Sequence, residues 1–217
     1  AESFFALRPS GAFLSTVLDL AKWDAALYSE QILNAASREL MWTPVKLNSG
    51  ASHPYGFGWE LDAVNGHKRV QHGVSLPGFR ATIARYATDK VTVIVLTNAD
   101  NANPGPIALG IAENYIPGLI PQRTVARVDP KIFAAYIGQY QPNLAVTVTI
   151  SREGDKLMFQ QNTSPEKQEL LPESENSFFT NANRLLTYSF AKDEQGQVTH
   201  LVVQNAGREV ARTREIK

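Results

Sequence analysis

Four histidines, no cysteine and two Ser-x-x-Lys quartets are the parts of this sequence from which covalent or proton-transfer chemistry could be built. A serine hydroxyl attacks well only when a base lies within hydrogen-bond reach, and a lysine three residues on meets that need on a helix. Ser164-Pro-Glu-Lys167 carries a proline in a turn, and Ser189-Phe-Ala-Lys192 falls on an expected strand. Neither can place both side chains on one helical face, so both are read as chance. The lack of cysteine removes a disulfide framework, thiolate metal sites and a cysteine nucleophile together. His67 and His72 stand apart from carboxylates in the sequence, so no zinc site is expected, nor any other metal or cofactor. His53, His67 and His200 read as surface residues. His72, beside a glycine, is the one histidine whose surroundings suggest chemistry. Asn162-Thr-Ser164 is a glycosylation sequon by composition only.

The elements that must position His72 follow from periodicity. Thr16-Val-Leu-Asp19 has the form of a capping box, and Leu18, Ala21, Ala25 and Tyr28 then recur at helical spacing. Asn34 caps a second helix through Leu40 and Met41, and Pro44 stops it. From residue 55 the period changes to two. Tyr55-Gly-Phe-Gly-Trp59 begins a strand, with its aromatic residues packing in the core or on a cleft wall. Asn65-Gly66 is a hairpin turn, and Lys68 to His72 form the return strand. Phe79 to Tyr86 and Val91 to Leu96 follow, the second apolar enough for a strand covered on both faces. Ile107 to Tyr115 reads as a helix with Ile107, Ile111 and Tyr115 on one face.

Pro117 to Pro130 holds three prolines and no period, which marks a linker over residues 121–129. A short helix from Lys131 to Ile137 ends at Gly138. Beyond it, alternation such as Val146, Val148 and Ile150 against Thr147, Thr149 and Ser151 gives seven or eight short strands, the pattern of a small antiparallel barrel. The expected fold is therefore α+β: an antiparallel sheet flanked by helices over 1–120, then a β-barrel over 130–217. Lysine plus arginine equals aspartate plus glutamate at 21 each, so no nucleic acid or anionic membrane is expected as a partner. No apolar run reaches the length of a membrane span.

Three stretches of the first part resemble the β-lactamase and penicillin-binding-protein family of serine hydrolases, in particular its class C and esterase-like branches. Gly11 to Trp23 is similar to the glycine-then-Ser-Thr approach to a helix. Tyr55 to Trp59 is similar to the aromatic-glycine signature. His72-Gly-Val-Ser-Leu-Pro-Gly-Phe79, followed by Val91 to Asn98, resembles the third catalytic motif and the last strand. Residues 128–217 resemble the lipocalin-like barrel appended to such hydrolases, through Asp129-Pro130, Tyr136 to Tyr140, Phe178-Phe179 and Gln204 to Arg208.

The resemblance implies an acyl-serine mechanism with three parts. Only the third is found here: the Ser-x-x-Lys helix and the Tyr-x-Asn loop would precede Ala1. His72 then stands as a proton or hydrogen-bond donor, and the Ser75 backbone N–H as half of an oxyanion hole. Gly73, Val74 and Asn98 would line the substrate. Val74 departs from the glycine the family favours there. The resemblance further implies a small ester, amide or β-lactam substrate and a periplasmic or secreted location. This chain, lacking its nucleophile, would be inert alone, with an N-terminal half or a second copy as partner. Whether it acts as an enzyme stays open. The alternative is a non-catalytic module that uses the barrel or the relic cleft to bind a small molecule or protein.

Overall fold

The first helix starts where a hydroxyl can satisfy its free N–H groups. In the computed structural model, which describes residues 11, 13–143, 145–205 and 208–216, α1 spans Val17–Ala26 and the Thr16 hydroxyl accepts from the Asp19 N–H at 3.1 Å. Asn34 does the same for α2, Ala35–Met41, accepting from Ser37 at 2.8 Å. The loop expected before Gly11 lies outside the described residues, as do Ala12 and Ala206-Gly207 of the motifs above. The chain divides into two compact units, one ending at Leu119 and the other beginning at Ile120.

In the first unit a small pair, β1 (Val45–Lys46) and β2 (Ser52–His53), precedes a four-stranded antiparallel sheet in the order β3-β4-β5-β6. Its strands are Glu60–Val64, His67–Leu76, Phe79–Tyr86 and Val91–Thr97. The β3–β4 hairpin turns on Asn65 and Gly66, both at positive φ (47° and 88°), as a type I′ turn requires. The return strand is longer than expected, because its pairing with β5 runs on to Leu76↔Phe79 after β3 has ended at Glu60↔Gln71.

Tyr55 to Trp59 is not the start of a strand. Gly58 sits at φ +76°, and only an isolated bridge links Tyr55 to Glu60. Gly56 lies so close to the end of α2 that a Cβ there would come within 2.1 Å of the Met41 carbonyl oxygen. The glycines therefore fold this segment into a compact turn under α2.

One face of the sheet carries Ala84, Tyr86 and Val93 and packs against α3, Pro104–Ala112, through Ala108 and Ala112. The helix starts earlier than periodicity suggested because Pro104 occupies its first turn. Ile107, Ile111 and Tyr115 do fall on one side, but it is the exposed side. β6 is an edge strand with Leu96 exposed, so it is not covered throughout. His67 is half-buried rather than free on the surface, with its Nδ1 3.0 Å from Asp89 Oδ1, a pairing that sequence distance hides.

The opposite face holds Arg85, which is fully buried. Its Nε donates to Asp24 of α1, and its guanidinium lies 4.8 Å from the Trp42 ring centroid and 5.0 Å from that of Tyr28. The two remaining guanidinium nitrogens have no hydrogen-bond partner. A single charged pair thus fastens α1 to the sheet from inside.

The second unit opens with residues 120–129 and a 3-10 turn, Pro130–Ala135, in place of the expected α-helix. Eight strands then close into a barrel: β7 (Gly138–Asn143), β8 (Val146–Glu153), β9 (Lys156–Gln161), β10 (Gln168–Pro172), β11 (Ser177–Phe179), β12 (Leu186–Lys192), β13 (Val198–Asn205) and β14 (Arg208–Ile216). Closure comes from β14 pairing with β7, at Glu215↔Tyr140 and Ile216↔Gln139. The interior is packed with Phe133, Tyr136, Tyr140, Phe159, Phe178 and Phe190 among others. Tyr136 stacks on Phe190 at 4.3 Å. Burial pushes the Tyr188 phenol above its ordinary pKa, partly offset by its hydrogen bond with Thr180.

Residues 121–129 form no helix or strand, yet Arg123 reaches the barrel with three groups. Its nitrogens contact the Arg184 carbonyl at 3.1 Å, Glu173 at 2.6 Å and the Thr187 hydroxyl at 2.9 Å. We expect the polypeptide 120–217 to fold cooperatively by itself, since its core is self-contained. A polypeptide cut at residue 128 should be less stable by about 2 kcal/mol, the worth of hydrogen bonds to a charged group. Urea unfolding of both checks this, and equal midpoints would show that Arg123 adds nothing.

Candidate active site

The strand β4 brings the predicted residues to a place where its own pairing changes. In an antiparallel ladder, alternate residues direct both backbone groups toward the same neighbour. The tight turn closes on Val64↔His67, so odd-numbered residues of β4 face β3 as far as Gln71. Beyond Gln71 no described strand pairs with that side. The backbone N–H of Gly73 and of Ser75 therefore point to an unpaired edge, while His72 and Val74 project their side chains to one face of the sheet.

That face forms the floor of a cavity of about 480 Å³, lined by His72, Val74, Ile83, Leu96, Trp23 and Trp59 among others. Trp23 of α1 stacks on Trp59 with ring centroids 5.8 Å apart and planes within 7°. The buried Asp24–Arg85 pair lies one residue along α1 from Trp23, so the same ion pair that holds the helix also sets this wall. Val74 is exposed, and its isopropyl group stands in the cavity beside the imidazole. Asn98 is exposed on the bend that follows β6 and is not among the lining residues. The structure thus places His72 and Val74 in the cavity lining, Gly73 and Ser75 on the same strand outside it, and Asn98 one residue past Thr97, whose partner Arg80 also pairs with Ser75.

The imidazole is held at both nitrogens. Nδ1 lies 2.8 Å from the Gly73 carbonyl oxygen and Nε2 lies 2.8 Å from the Tyr55 hydroxyl. A carbonyl can only accept, so Nδ1 carries a proton. In the neutral ring Nε2 is then an acceptor and the Tyr55 O–H donates to it. The two rings meet edge to face, with centroids 5.8 Å apart and planes at 76°. The Thr82 hydroxyl donates to the His72 carbonyl at 3.3 Å, fixing the strand from the β5 side. The turn after the motif is held by Asp100, which accepts from the Gly78 N–H at 2.6 Å.

Tyr55 is the residue that sequence reasoning missed, having placed it in a packing stripe with Phe57 and Trp59. The available signal was its hydroxyl, a polar tip that needs a partner wherever the ring is half-buried. The Arg85–Asp24 pair was missed too. An arginine inside the otherwise apolar run Ile83 to Tyr86 signals a buried partner, but not which one.

At the far end of β4, Asp62 binds Arg69 through two contacts of 2.9 and 2.7 Å. Burial alone would weaken the Arg69 charge, but Asp62 reverses this and raises its pKa. Burial pushes the neighbouring Tyr86 phenol up, with the Arg69 charge opposing.

A family model described as Beta-lactamase matches residues 2–113, just over half the chain, and one described as Domain of unknown function (DUF3471) matches residues 122–214. Penicillin-binding protein 4* of Bacillus subtilis is 29% identical over 185 residues, covering 81% of this chain and 41% of that protein. A D-aminopeptidase of Brucella melitensis is 27% identical over 135 residues, covering 61% of this chain and 25% of that protein. Among solved structures, the octameric penicillin-binding protein homologue from Pyrococcus abyssi shares 21% identity at a TM-score of 0.39, covering 92% of this chain and 46% of that one. SurE with D-Leu shares 15% at a TM-score of 0.41, covering 85% and 44%. The chain thus spans less than half the length of each of these relatives.

Proposed function

We propose, for a chain that belongs to the beta-lactamase family of serine hydrolases, that it supplies the third-motif wall of an acyl-serine active site whose attacking serine lies outside these 217 residues. The observation that carries this reading is the stretch of β4 beyond Gln71, where the Ser75 N–H points to an open strand edge and the His72 side chain lines a cavity on one face of the same strand. A carbonyl laid along that edge would send its developing oxyanion toward the Ser75 N–H, a donor fixed by the strand and costing no reorganisation. His72, locked between Tyr55 and Gly73, would exchange a proton or hydrogen bond with the leaving group. Gly73 lets the substrate lie against the strand, and Val74 narrows the space for its acyl group.

The substrate class is a small ester, amide or β-lactam, and the compartment is the periplasm or the exterior. Among the described residues no helix is long and apolar enough to cross a membrane. A complementing N-terminal half, or a second copy, is the expected partner. Both outer strands of the sheet, β3 and β6, have an open side among the described residues, and Phe13, Leu14 and Leu18 are exposed apolar groups nearby in sequence.

The chain alone is expected to leave p-nitrophenyl esters and chromogenic cephalosporins intact and to take no label from a fluorophosphonate probe. Adding in trans an N-terminal segment that carries a Ser-x-x-Lys helix should restore turnover, with the label on that segment's serine. Label on any serine of the present chain would overturn the proposal.

A further inference from the structure

We propose that Tyr55 is a positioning residue for His72, holding the neutral imidazole in the Nδ1–H form with Nε2 reserved as an acceptor. The role given to His72 rests on the function proposed above; the tautomer itself does not. A free neutral imidazole can carry its proton on either nitrogen, and a site that uses one nitrogen must suppress the other form. Here the Gly73 contact selects the form and the Tyr55 contact reinforces it, since a phenol is a better donor to a bare ring nitrogen than an acceptor from a ring N–H. The Gly73 carbonyl oxygen, 2.8 Å from Nδ1, demands a proton there. The Tyr55 hydroxyl, 2.8 Å from Nε2, can donate only if that nitrogen is bare.

Tyr55 is well fitted to the task because its own segment is rigid. The Gly56 N–H donates to the Trp59 carbonyl at 2.7 Å, and the Phe57 N–H donates to the Met41 carbonyl at 3.0 Å, so the turn is tied to itself and to α2. The phenol ring then buttresses the imidazole edge to face, which fixes its rotation as well as its proton. One consequence is chemical. Any proton delivered to a substrate near Nε2 comes from the Tyr55 hydroxyl, or from the imidazole after Tyr55 has swung aside or His72 has taken up a second proton. The phenol is thereby the group through which His72 is coupled to whatever binds.

Nitrogen-15 spectra of the histidine rings in the full chain, at alkaline pH, read this directly, with His72→Gln assigning the resonance. The wild type should show His72 protonated at Nδ1 and a hydrogen-bonded Nε2. Tyr55→Phe keeps the ring and removes only the hydroxyl. In that variant the Nε2 resonance should move toward an unbonded acceptor, and the share of the Nε2–H form should rise about two- to tenfold, the ratio one net hydrogen bond supports. Backbone amides of β4 and β5 should stay in place. A wild-type His72 protonated at Nε2 overturns the proposal without any variant, and so does a Tyr55→Phe spectrum with unchanged ring nitrogens. Either result leaves the restored turnover of the preceding section untouched, so the two readings fail separately.

Discussion

Asp24→Ala is expected to destabilise the first unit by about 3–5 kcal/mol, the cost of leaving a buried charge without its partner. Arg85 is fully buried, and Asp24 accepts the hydrogen bond from its Nε, with both terminal nitrogens unpartnered. The aromatic rings of Tyr28, Trp42 and Trp59 around the guanidinium offer cation–π attraction, each worth far less than a hydrogen-bonded carboxylate in a dry site. Thermal or urea unfolding of the full chain, read through tryptophan fluorescence, measures the loss. Trp23 and Trp59 report on the same region. The double replacement Asp24→Leu with Arg85→Met should recover most of the stability, because removing both charges also removes the desolvation they suffer. A fully stable Asp24→Ala chain would mean that α1 is held by packing alone.

His72→Ala should lower kcat by about a hundredfold or more once the chain has been complemented with a serine-bearing segment, as for other positioned proton carriers. The side chain is half-buried on a strand whose backbone pairing with β5 is unbroken from Val70 to Leu76, so its removal should leave folding nearly intact. The useful comparison is kcat against the unfolding midpoint of the same variant. Unchanged kcat with a lowered midpoint would assign His72 to structure and remove the third motif from the chemistry.

How much of this was legible in the sequence depended on whether the cause was local. Thr16 and Asn34 cap helices three residues away, and Asn65-Gly66 fixes its turn from its own dihedrals, so those features were read correctly. The barrel was legible because period-two alternation repeats along each strand. What stayed hidden was set across distance. Tyr55 and His72 are 17 residues apart and Asp24 and Arg85 are 61 apart, and nothing in either neighbourhood names the partner. Trp59 read as a strand residue because its alternation with Tyr55 and Phe57 is genuine. The backbone of Gly58, at positive φ, is what denies the segment a ladder.

Barrel closure through β14 and β7 also dictates an order of events. Strands β7 to β13 can pair with their neighbours as soon as each hairpin is complete, since every connection among them is local in sequence. The seam cannot form until residues 208–216 exist, because they supply the partner of Gln139 and Tyr140 on the side that β8 leaves open. Until β14 has been made, the flanks of β7 and β13 that it pairs with have no partner among the barrel strands. That interval is when an unfinished barrel can pair with another chain instead of with itself, and the rate at which it seals is governed by bringing together strands about seventy residues apart, a distance that slows folding more than it weakens the finished structure.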